Sequence, residues 1–559
     1  MASLQAYQSH GHSYYRLVES FRKDGKPHLR VLAHLGRADD ILHLVQGQSA
    51  DLRISSVTAG SVTALLHLAQ ELDLAGKINR ALADPQGHVQ KRAGLTVGES
   101  LVAGIIGRAC APRSKRAFAG WARTTLLPGL LGFPAADLTS EHFWEQMHAV
   151  PVDQLAAIEQ AIVRQVIDIE QLRIQALAYD TTNFYTHIAT TNQRPQLPQR
   201  GHNQQGRHDL RQLGLALVVD QVSQLPLAHV LYEGARSDMR TFAEFLKPAR
   251  QRLRSLSAQP AQWTLVFDSG AASQENLATL ATGQDHYVTT VRPCYHLALL
   301  AEAADQLRAV ALSGGAIVRA WRTRRIVAGR EREVVVVFSP SLFDGQVRGL
   351  HQHSKRCGRQ LEQMGLRPNG KAETVRRRLA KICGRQYLRK LLGYEVTTDA
   401  QGHAGVRTWS DLDEYRRLTT RYFGLRLLIT DRTDWSTAQI VEAYRGQSQA
   451  EGALRDLKDP GMLATRPQFH GTDQKLHVHA FLCVTGYLLV RLLWWRARRQ
   501  AGFTGSPRTL LAELARIRHC RIVDRTGKAG RPRVRERIEE MDATLSALGH
   551  AVKAIPPIH

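Results

Sequence analysis

The sequence predicts an α/β protein: a ribonuclease-H-like mixed sheet with a long inserted subdomain, preceded by a β-hairpin and a helical N-terminal domain. Three observations carry that expectation. Residues 172–291 read as three strands, a helix, a strand, a helix and a strand, so hairpin-linked antiparallel strands come first and parallel additions follow. Residues 58–165 instead repeat their apolar positions at helical spacing. After 292–420, which break both patterns, the apolar run Leu425–Thr430 restores the strand signal. The chain has 559 residues, enough for several domains at roughly 150 residues each. Its 43% hydrophobic content supports real cores and argues against disorder.

The elements follow in order. In 1–50, Tyr14–Phe21 and Leu29–Leu35 are strand-like and flank Asp24-Gly25, a tight-turn signal. In 51–170, Val62, Leu65, Leu66, Leu68, Ala69 and Leu72 share one helical face. Around 97–122 a helix, a Cys-Ala-Pro-Arg break and a short helix from Ser114 to Trp121 form either a helix-turn-helix or two ordinary packed helices. Arg113, Lys115 and Arg116, at the start of the second helix, favour DNA and make this a DNA-end-binding domain. The core's first part, 171–291, begins with a strand over Arg173–Ile188. A polar loop over Thr190–Asp209 follows, with Arg207 and the nearby Arg211 as candidate DNA contacts. Strands over Leu213–Asp220 and Leu227–Tyr232 come next, then a helix from Asp238 capped by Ser237. The strand Trp263–Phe267 ends at Asp268, and a helix over Ser273–Leu280 and a strand over Tyr287–Val291 complete the run. Residues 292–420 read as the inserted subdomain, with a strand at Val334–Phe338 and an Arg-rich helical stretch from Ser341 to Leu392. The core resumes over 421–500, with a helix covering Ser436 to Asp459, and 501–559 read as a basic tail.

Charge narrows the partners. Lys and Arg total 75 against 50 Asp and Glu, for a net charge of +25, and 61 of the cations are arginine. Arginine's planar fork suits phosphate, and such an excess favours a polyanion. A membrane span is disfavoured, because the most apolar window, Leu476–Trp495, carries His477, His479 and Arg491 and reads as a buried helix. The six cysteines lie far apart without a CxxC pair, so a reducing, cytoplasmic setting is expected.

The chemistry gathers at three carboxylates. Asp180 lies on the first core strand and Asp268 at the end of the fourth. Those strands are neighbours in a ribonuclease-H-like sheet, so the two groups would sit side by side and repel. A divalent cation removes that conflict, and Mg²⁺ favours one or two carboxylates plus water and substrate phosphate. Glu451 is the third. Tyr444, Glu451 and Lys458 are spaced by seven, which puts them on one face of a continuous helix. Glu451 would then complete the metal site while Lys458 and Tyr444 reach phosphates or a displaced base.

These motifs resemble the DDE transposases of bacterial insertion sequences, of the insertion-sequence-4 type. That family's signature runs Tyr, two residues, Arg, three residues, Glu, six residues, Lys. Tyr444, Glu451 and Lys458 match it, whereas Gln447 stands at the Arg position, flanked by Arg445 and Arg455. YDTTNFY at 179–185 and VFDSGAASQEN at 266–276 are similar to the two Asp motifs, and LGR at 35–37 with the hairpin resembles the long-chain subgroup related to insertion sequence 1634. The resemblance implies cut-and-paste transposition: binding of terminal inverted repeats in double-stranded DNA, strand cleavage, and transfer to target DNA. It implies two Mg²⁺ ions, for which Mn²⁺ can substitute, with Asp180 bridging them and Asp268 and Glu451 each holding one. It also implies a homodimer in the DNA complex, with Tyr444, Arg445, Arg455 and Lys458 on the DNA. A domesticated or inactive DNA-binding protein, which Gln447 favours, and a ribonuclease-H-like nuclease stay open as alternatives.

Overall fold

A computed structural model describes residues 2–9, 12–23, 26–37, 41, 52–201, 206–256, 263–282, 285–365, 372–384, 387–398, 404–466, 468–524 and 532–558. Three antiparallel strands open it: β1 (Ala2–Ser9), β2 (His12–Lys23) and β3 (Lys26–Arg37), in the order β1-β2-β3. The expected hairpin is β2–β3, and its Asp24-Gly25 turn lies outside the described residues. The additional strand β1 is too polar to be legible alone. Pairing with β2 holds it, together with the Tyr7–Tyr14 stack at 5.7 Å.

Strand β4 (Leu52–Thr58) leads into the helical region: α1 (Gly60–Glu71), α2 (Leu74–Leu82), the short strands β5 (Lys91–Arg92) and β6 (Leu95–Thr96), then α3 (Val97–Cys110), α4 (Lys115–Ala122), α5 (Leu127–Leu131), α6 (Ser140–His148) and α7 (Val152–Glu170). Helix α3 starts at a capping box in which Thr96 and Glu99 satisfy each other's backbone N–H, and it is buried nearly all round.

Next come β7 (Ala176–Tyr185), β8 (Gln212–Asp220), β9 (Pro226–Glu233), α8 (Asp238–Leu256), β10 (Thr264–Phe267), α9 (Gln274–Thr282) and β11 (His286–Thr290). This is the strand and helix order expected for 171–291. The chain continues through α10 (Leu297–Gln306), β12 (Arg308–Ala311), β13 (Ile317–Val327), β14 (Arg330–Phe338), α11 (Pro340–Gly365), α12 (Ala372–Cys383), α13 (Leu388–Leu391), the strand pair β15 (Leu392–Thr398) and β16 (Ala404–Ser410), α14 (Leu412–Arg421) and β17 (Leu425–Thr430). Nine strands form one mixed sheet in the order β12-β13-β14-β17-β11-β10-β7-β8-β9.

The sheet corrects the expected boundary of the insertion. Residues 292–420 do not form one separate body, because β12, β13 and β14 extend the main sheet and β14 pairs with β17. β12 is the open edge of the sheet and β13, beside it, is about half exposed and Arg-rich, so neither read as a strand, whereas β14 did. The excursion is 339–424, with its own small cores around Leu350, Leu388, Leu418 and Phe423 and around Leu379 and Cys383. It closes at Gly424, where φ is +78° and a Cβ would lie 2.5 Å from the Phe338 ring.

Beyond β17 the expected single helix is two: α15 (Thr437–Arg445) and α16 (Ser448–Lys458). Helix α17 (Asp473–Ala501) is long and apolar enough to cross a membrane by length and composition, yet 94% of its most apolar window is buried in the protein. It is the central post of the helical region. Arg496 on α17 pairs with Glu71 of α1 at 2.6 Å and Glu170 of α7 at 2.7 Å. The expected tail is folded onto the same region: α18 (Pro507–Leu514), β18 (Arg518–Asp524), β19 (Arg533–Ile538) and α19 (Ala543–Ala551). β18 pairs with both β4 and β19, and Ile517, Leu545 and Leu548 enter the main core. Its basic composition disguised an ordinary alternating strand pair.

One buried ion cluster clamps the helical region to the sheet. Glu159 on α7 meets His229 Nδ1 on β9 at 2.5 Å and also contacts Arg252 on α8. Burial opposes its charge, but His229 and Arg252 outweigh it and hold the carboxyl below its ordinary range. Its stabilisation is therefore present above the ordinary glutamate value and lost as pH falls through the lowered one. Glu159→Gln leaves the Arg252 guanidinium without a counter-charge and should cost ~3 kcal/mol at pH 7. Urea unfolding should show that loss, and the gap from wild type should close toward pH 3.

Candidate active site

Strand pairing brings the carboxylates together. β7 and β10 run parallel with Val266 opposite Ala178. Asp268 and Asp180 each lie two residues further on, so they leave the pair at the same level. β10 ends at Phe267, while β7 continues alongside β8 to Tyr185. Asp180 therefore stands where one neighbour of β7 has stopped. Glu451 reaches the same edge from α16. That helix packs its apolar side, Ala450, Ala453, Leu454 and Leu457, into the core and leaves Glu451 exposed.

Two contacts fix the α15–α16 junction on the sheet. The Gln447 amide donates from Nε2 to the Tyr179 carbonyl at 2.7 Å, fully within the protein. Gln221 donates to the Ala443 carbonyl at 2.9 Å, and a Cβ on Gly446 would fall 2.2 Å from its Oε1. This close approach occurs where the expected single helix divides. Tyr444 consequently lies on α15, while Glu451 and Lys458 lie on α16. The heptad spacing correctly groups the latter two, but Tyr444 reaches the edge by a different route. Gln447 is a tether to the Asp180 strand, so the position read as a departure from the family signature has its own structural use.

The electrostatics report crowding. Burial is the largest influence on Asp180, followed by the opposing Thr181 N–H bond and then the charges of Glu451, Asp268 and Asp238; together they push its carboxyl up to about 7. Asp238 is the group that sequence reading assigned only to a helix start. Its Oδ1 accepts from Thr181 Oγ1 at 3.0 Å. The only sequence signal was an acid opening the helix that precedes the second Asp strand. Asp268 Oδ1 accepts from Ser269 N at 2.6 Å and Thr290 Oγ1 at 3.0 Å. Hard carboxylate oxygens with excess negative charge suit a divalent cation in donor chemistry. Among the described residues, no three such side chains yet enclose an ion-sized point.

A cavity of about 480 Å³ opens at this edge, lined by Asp180, Thr182, Glu451, Arg455, Lys458 and Arg466. Burial and Arg466 lower the Lys458 ammonium, while Asp180 favours its charge. Its Nζ lies 5.6 Å from the Phe184 ring centroid. Tyr444, Arg445 and Glu451 line a second cavity, of about 260 Å³. Arg445 and Arg455 thus flank Gln447 in sequence but face different cavities.

The other expected DNA contacts are not part of this edge. Arg207 is exposed and forks onto Asp209 at 2.8 and 2.9 Å. Arg211 donates to the carbonyls of Asn192 and Ala189, at 3.1 and 2.7 Å, and so holds the 188–192 loop. Lys115 is half-buried over the Trp144 ring, and burial, with Lys475 and Arg108 nearby, lowers it to about 8. Arg113 and Arg116 are exposed beside it. A pocket rather than a protruding reading helix surrounds this corner, lined by Arg108, Lys115, Phe118, Phe143 and His479.

Two family models match the chain. Residues 5–54 match the N-terminal domain of IS1634 family transposases, and residues 172–485 match the transposase DDE domain. No curated protein matches. Among solved structures, the chain is similar to piggyBac transposase in a cryo-EM synaptic complex with hairpin DNA, with 8% identity over 81% of this chain and 79% of that one and a TM-score of 0.37.

The raised Asp180 value has a sign. A carboxyl that rises from 3.8 to about 7 on folding makes the folded state the better proton acceptor. Metal-free protein should therefore lose stability as pH climbs from about 4 to about 7, by at most ~4 kcal/mol from this group at ~1.4 kcal/mol per unit. Asp180→Asn keeps the Thr181 N–H acceptor and removes the charge. Urea midpoints in EDTA at pH 5 and pH 8 should show a decline in wild type that the variant largely lacks.

Proposed function

The chain belongs to the DDE insertion-sequence transposases of the IS1634 type, and from that premise we propose that it cuts DNA at the ends of its element and joins them to a target through the edge formed by Asp180, Asp268 and Glu451. The observation that carries this reading is the convergence of those three remote carboxylates where β10 stops and β7 continues. The large mixed sheet is read as ribonuclease-H-like, with 339–424 inserted before the strand that leads to the Glu451 helix. The β1–β3 sheet and the helical region are read as the parts that grip the terminal inverted repeats. A homodimer that pairs two ends is the matching assembly, acting inside the cell where its DNA lies.

Divalent cations, Mg²⁺ or Mn²⁺, would be held by Asp180 with Asp268 and with Glu451, and when bound they supply charge stabilisation at the reacting phosphate and an activated attacking oxygen. The chain's own groups do the rest. Lys458, Arg455 and Arg466 hold the phosphates of the cut strand against the same cavity as Asp180 and Glu451. Gln447 keeps α16 on β7, so Glu451 stays at the level of Asp180. Thr290 and the Ser269 N–H orient the Asp268 carboxylate.

Asp180→Asn, Asp268→Asn and Glu451→Gln should each lower end cleavage by at least ~10³-fold while end binding survives, because phosphate contacts come from Arg and Lys elsewhere. Lys458→Ala should weaken docking of the cut strand and leave residual Mg²⁺-dependent cleavage. The assay is strand cleavage and joining on duplexes taken from both flanks of the coding sequence, with Mg²⁺ and with EDTA. Full cleavage by any of the three carboxylate variants, or cleavage that persists in EDTA, would overturn the reading.

A further inference from the structure

Glu451 lines two cavities, and only one of them holds the groups so far assigned to the cut strand. The other lies across Glu451, between β17, the end of β14 and the α15–α16 junction. Its cations are Arg426, exposed on β17, and Arg445, exposed at the end of α15. Arg426 Nη1 donates to Tyr444 Oη at 2.7 Å, and its guanidinium lies 5.6 Å from the Tyr444 ring centroid. Thr290, whose hydroxyl donates to Asp268, also lies beside the Tyr444 hydroxyl. A continuous chain of contacts thus runs from Arg426 to a carboxylate of the active edge.

Among the described residues, neither Arg426 nor Arg445 has a carboxylate ion-pair partner. Other arginines on the same sheet do have one: Arg322 pairs with Glu333 at 2.6 Å, and Arg325 with Glu302 at 2.7 Å, whereas Arg426 and Arg445 open onto a cavity. Among the described residues, the one carboxylate lining the cavity is Glu451. Two uncompensated guanidinium groups beside one carboxylate, over an apolar floor of Leu428 and Val441, make an anion site.

We propose that this second cavity binds a backbone phosphate of the target DNA, with Arg426 as its principal phosphate-binding residue. The proposal rests on the transposase reading above. Joining requires two DNA segments to meet at one phosphorus. The Lys458 cavity accounts for the cut end, and the Arg426 cavity is the cationic space left on the opposite side of Glu451. In the step itself, the 3′ oxygen of the cut end bonds to the target phosphorus and its proton goes to solvent. The bond from that phosphorus to the target's own 3′ oxygen breaks, and the released oxygen takes up a proton as a 3′ hydroxyl. Phosphodiester count is conserved, and no further reactant is needed.

The test compares two rates in each variant: hydrolytic nicking of an end duplex, and joining of a pre-cut end duplex to a supercoiled plasmid. Arg426→Ala should lower the ratio of joining to nicking at least tenfold. Higher plasmid concentration should recover joining, because the loss lies in target binding. Arg426→Lys should restore most of the ratio, since a phosphate accepts a point charge. Tyr444→Phe, which removes the hydroxyl that accepts from Arg426 but leaves the guanidinium over the ring and in the cavity, should slow both rates together and leave the ratio within about threefold. An unchanged ratio in Arg426→Ala, or a lowered ratio that neither plasmid nor lysine recovers, would overturn the target-phosphate role and leave Arg426 as a support for Tyr444. A wild type that neither nicks nor joins would remove the transposition reading itself, and this proposal with it.

Discussion

Repulsion among carboxylates at the end of β10 is the constraint on which the rest of the structure depends. Asp180, Asp268, Glu451 and Asp238 come from four elements, and none gains by approaching the others without a cation. Their proximity is imposed by parts that do gain. β7 and β10 pair over apolar residues that are fully buried, Leu177 and Ala178 against Leu265 and Val266. Helix α16 contributes Ala450, Ala453, Leu454 and Leu457 to the same core. Each fully buried leucine stabilises by roughly 1.5–3 kcal/mol. Apolar burial on these elements is therefore large enough to hold several charges together, and the Asp180 carboxyl is raised chiefly by its own burial, with the neighbouring carboxylates adding to it. Such a site is poised to accept positive charge, which is what an enzyme acting on phosphodiesters requires.

The junction between α15 and α16 shows how the crowding is managed. A continuous helix from Ser436 to Asp459 would carry Tyr444 and Glu451 on one face. The observed break at Gly446-Gln447 frees each half to answer to a different neighbour. α15 packs Ile440, Val441 and Ala443 into the small core beneath β11, β14 and β17. α16 packs into the main core under β7 and β8. Gln221 and Gln447 fill the junction, and a buried amide there binds a strand carbonyl that has lost its β10 partner. That carbonyl belongs to Tyr179, one residue before Asp180. The hydrogen bond that completes the backbone accounting of β7 is thus also the one that sets the height of Glu451.

Much of this was legible in the sequence, and the failures have physical causes. The order of strands and helices in 171–291 could be read because each buried strand is a compact apolar run with turn residues at its ends. The parallel neighbours β7 and β10 followed from that order, and with them the pairing of Asp180 and Asp268. The strands β12 and β13 were not legible, because their exposed, arginine-rich positions resemble a loop. The C-terminal pair β18–β19 was masked by its arginines, which give it the composition of a basic tail. The helix break was invisible to periodicity. Nothing in a 3.6-residue repeat reports that Gln221, more than two hundred residues away, occupies the space beside Gly446. Asp238 was missed for a related reason: an acid in the first turn of a helix has an adequate local explanation, and only the fold shows what stands opposite.

Net charge is the last point at which sequence and structure part. An excess of +25 invites the view that the whole surface is a polyanion-binding face. The structure divides those cations by what they touch. Arg496 and Arg252 are consumed by buried carboxylates that tie helices to helices and helices to the sheet. Arg211 is consumed by backbone carbonyls of a loop. Arg207, although fully exposed, is already paired with Asp209. These groups can bind phosphate only by giving up a partner, and the exchange cancels most of the gain. Among the described residues, Arg426 and Arg445 lack carboxylate partners, and Asp180 favours the charge of Lys458. All three face the cavities beside Glu451. Affinity for DNA draws on such unspent charge rather than on the total, and the two cavities beside Glu451 hold part of it.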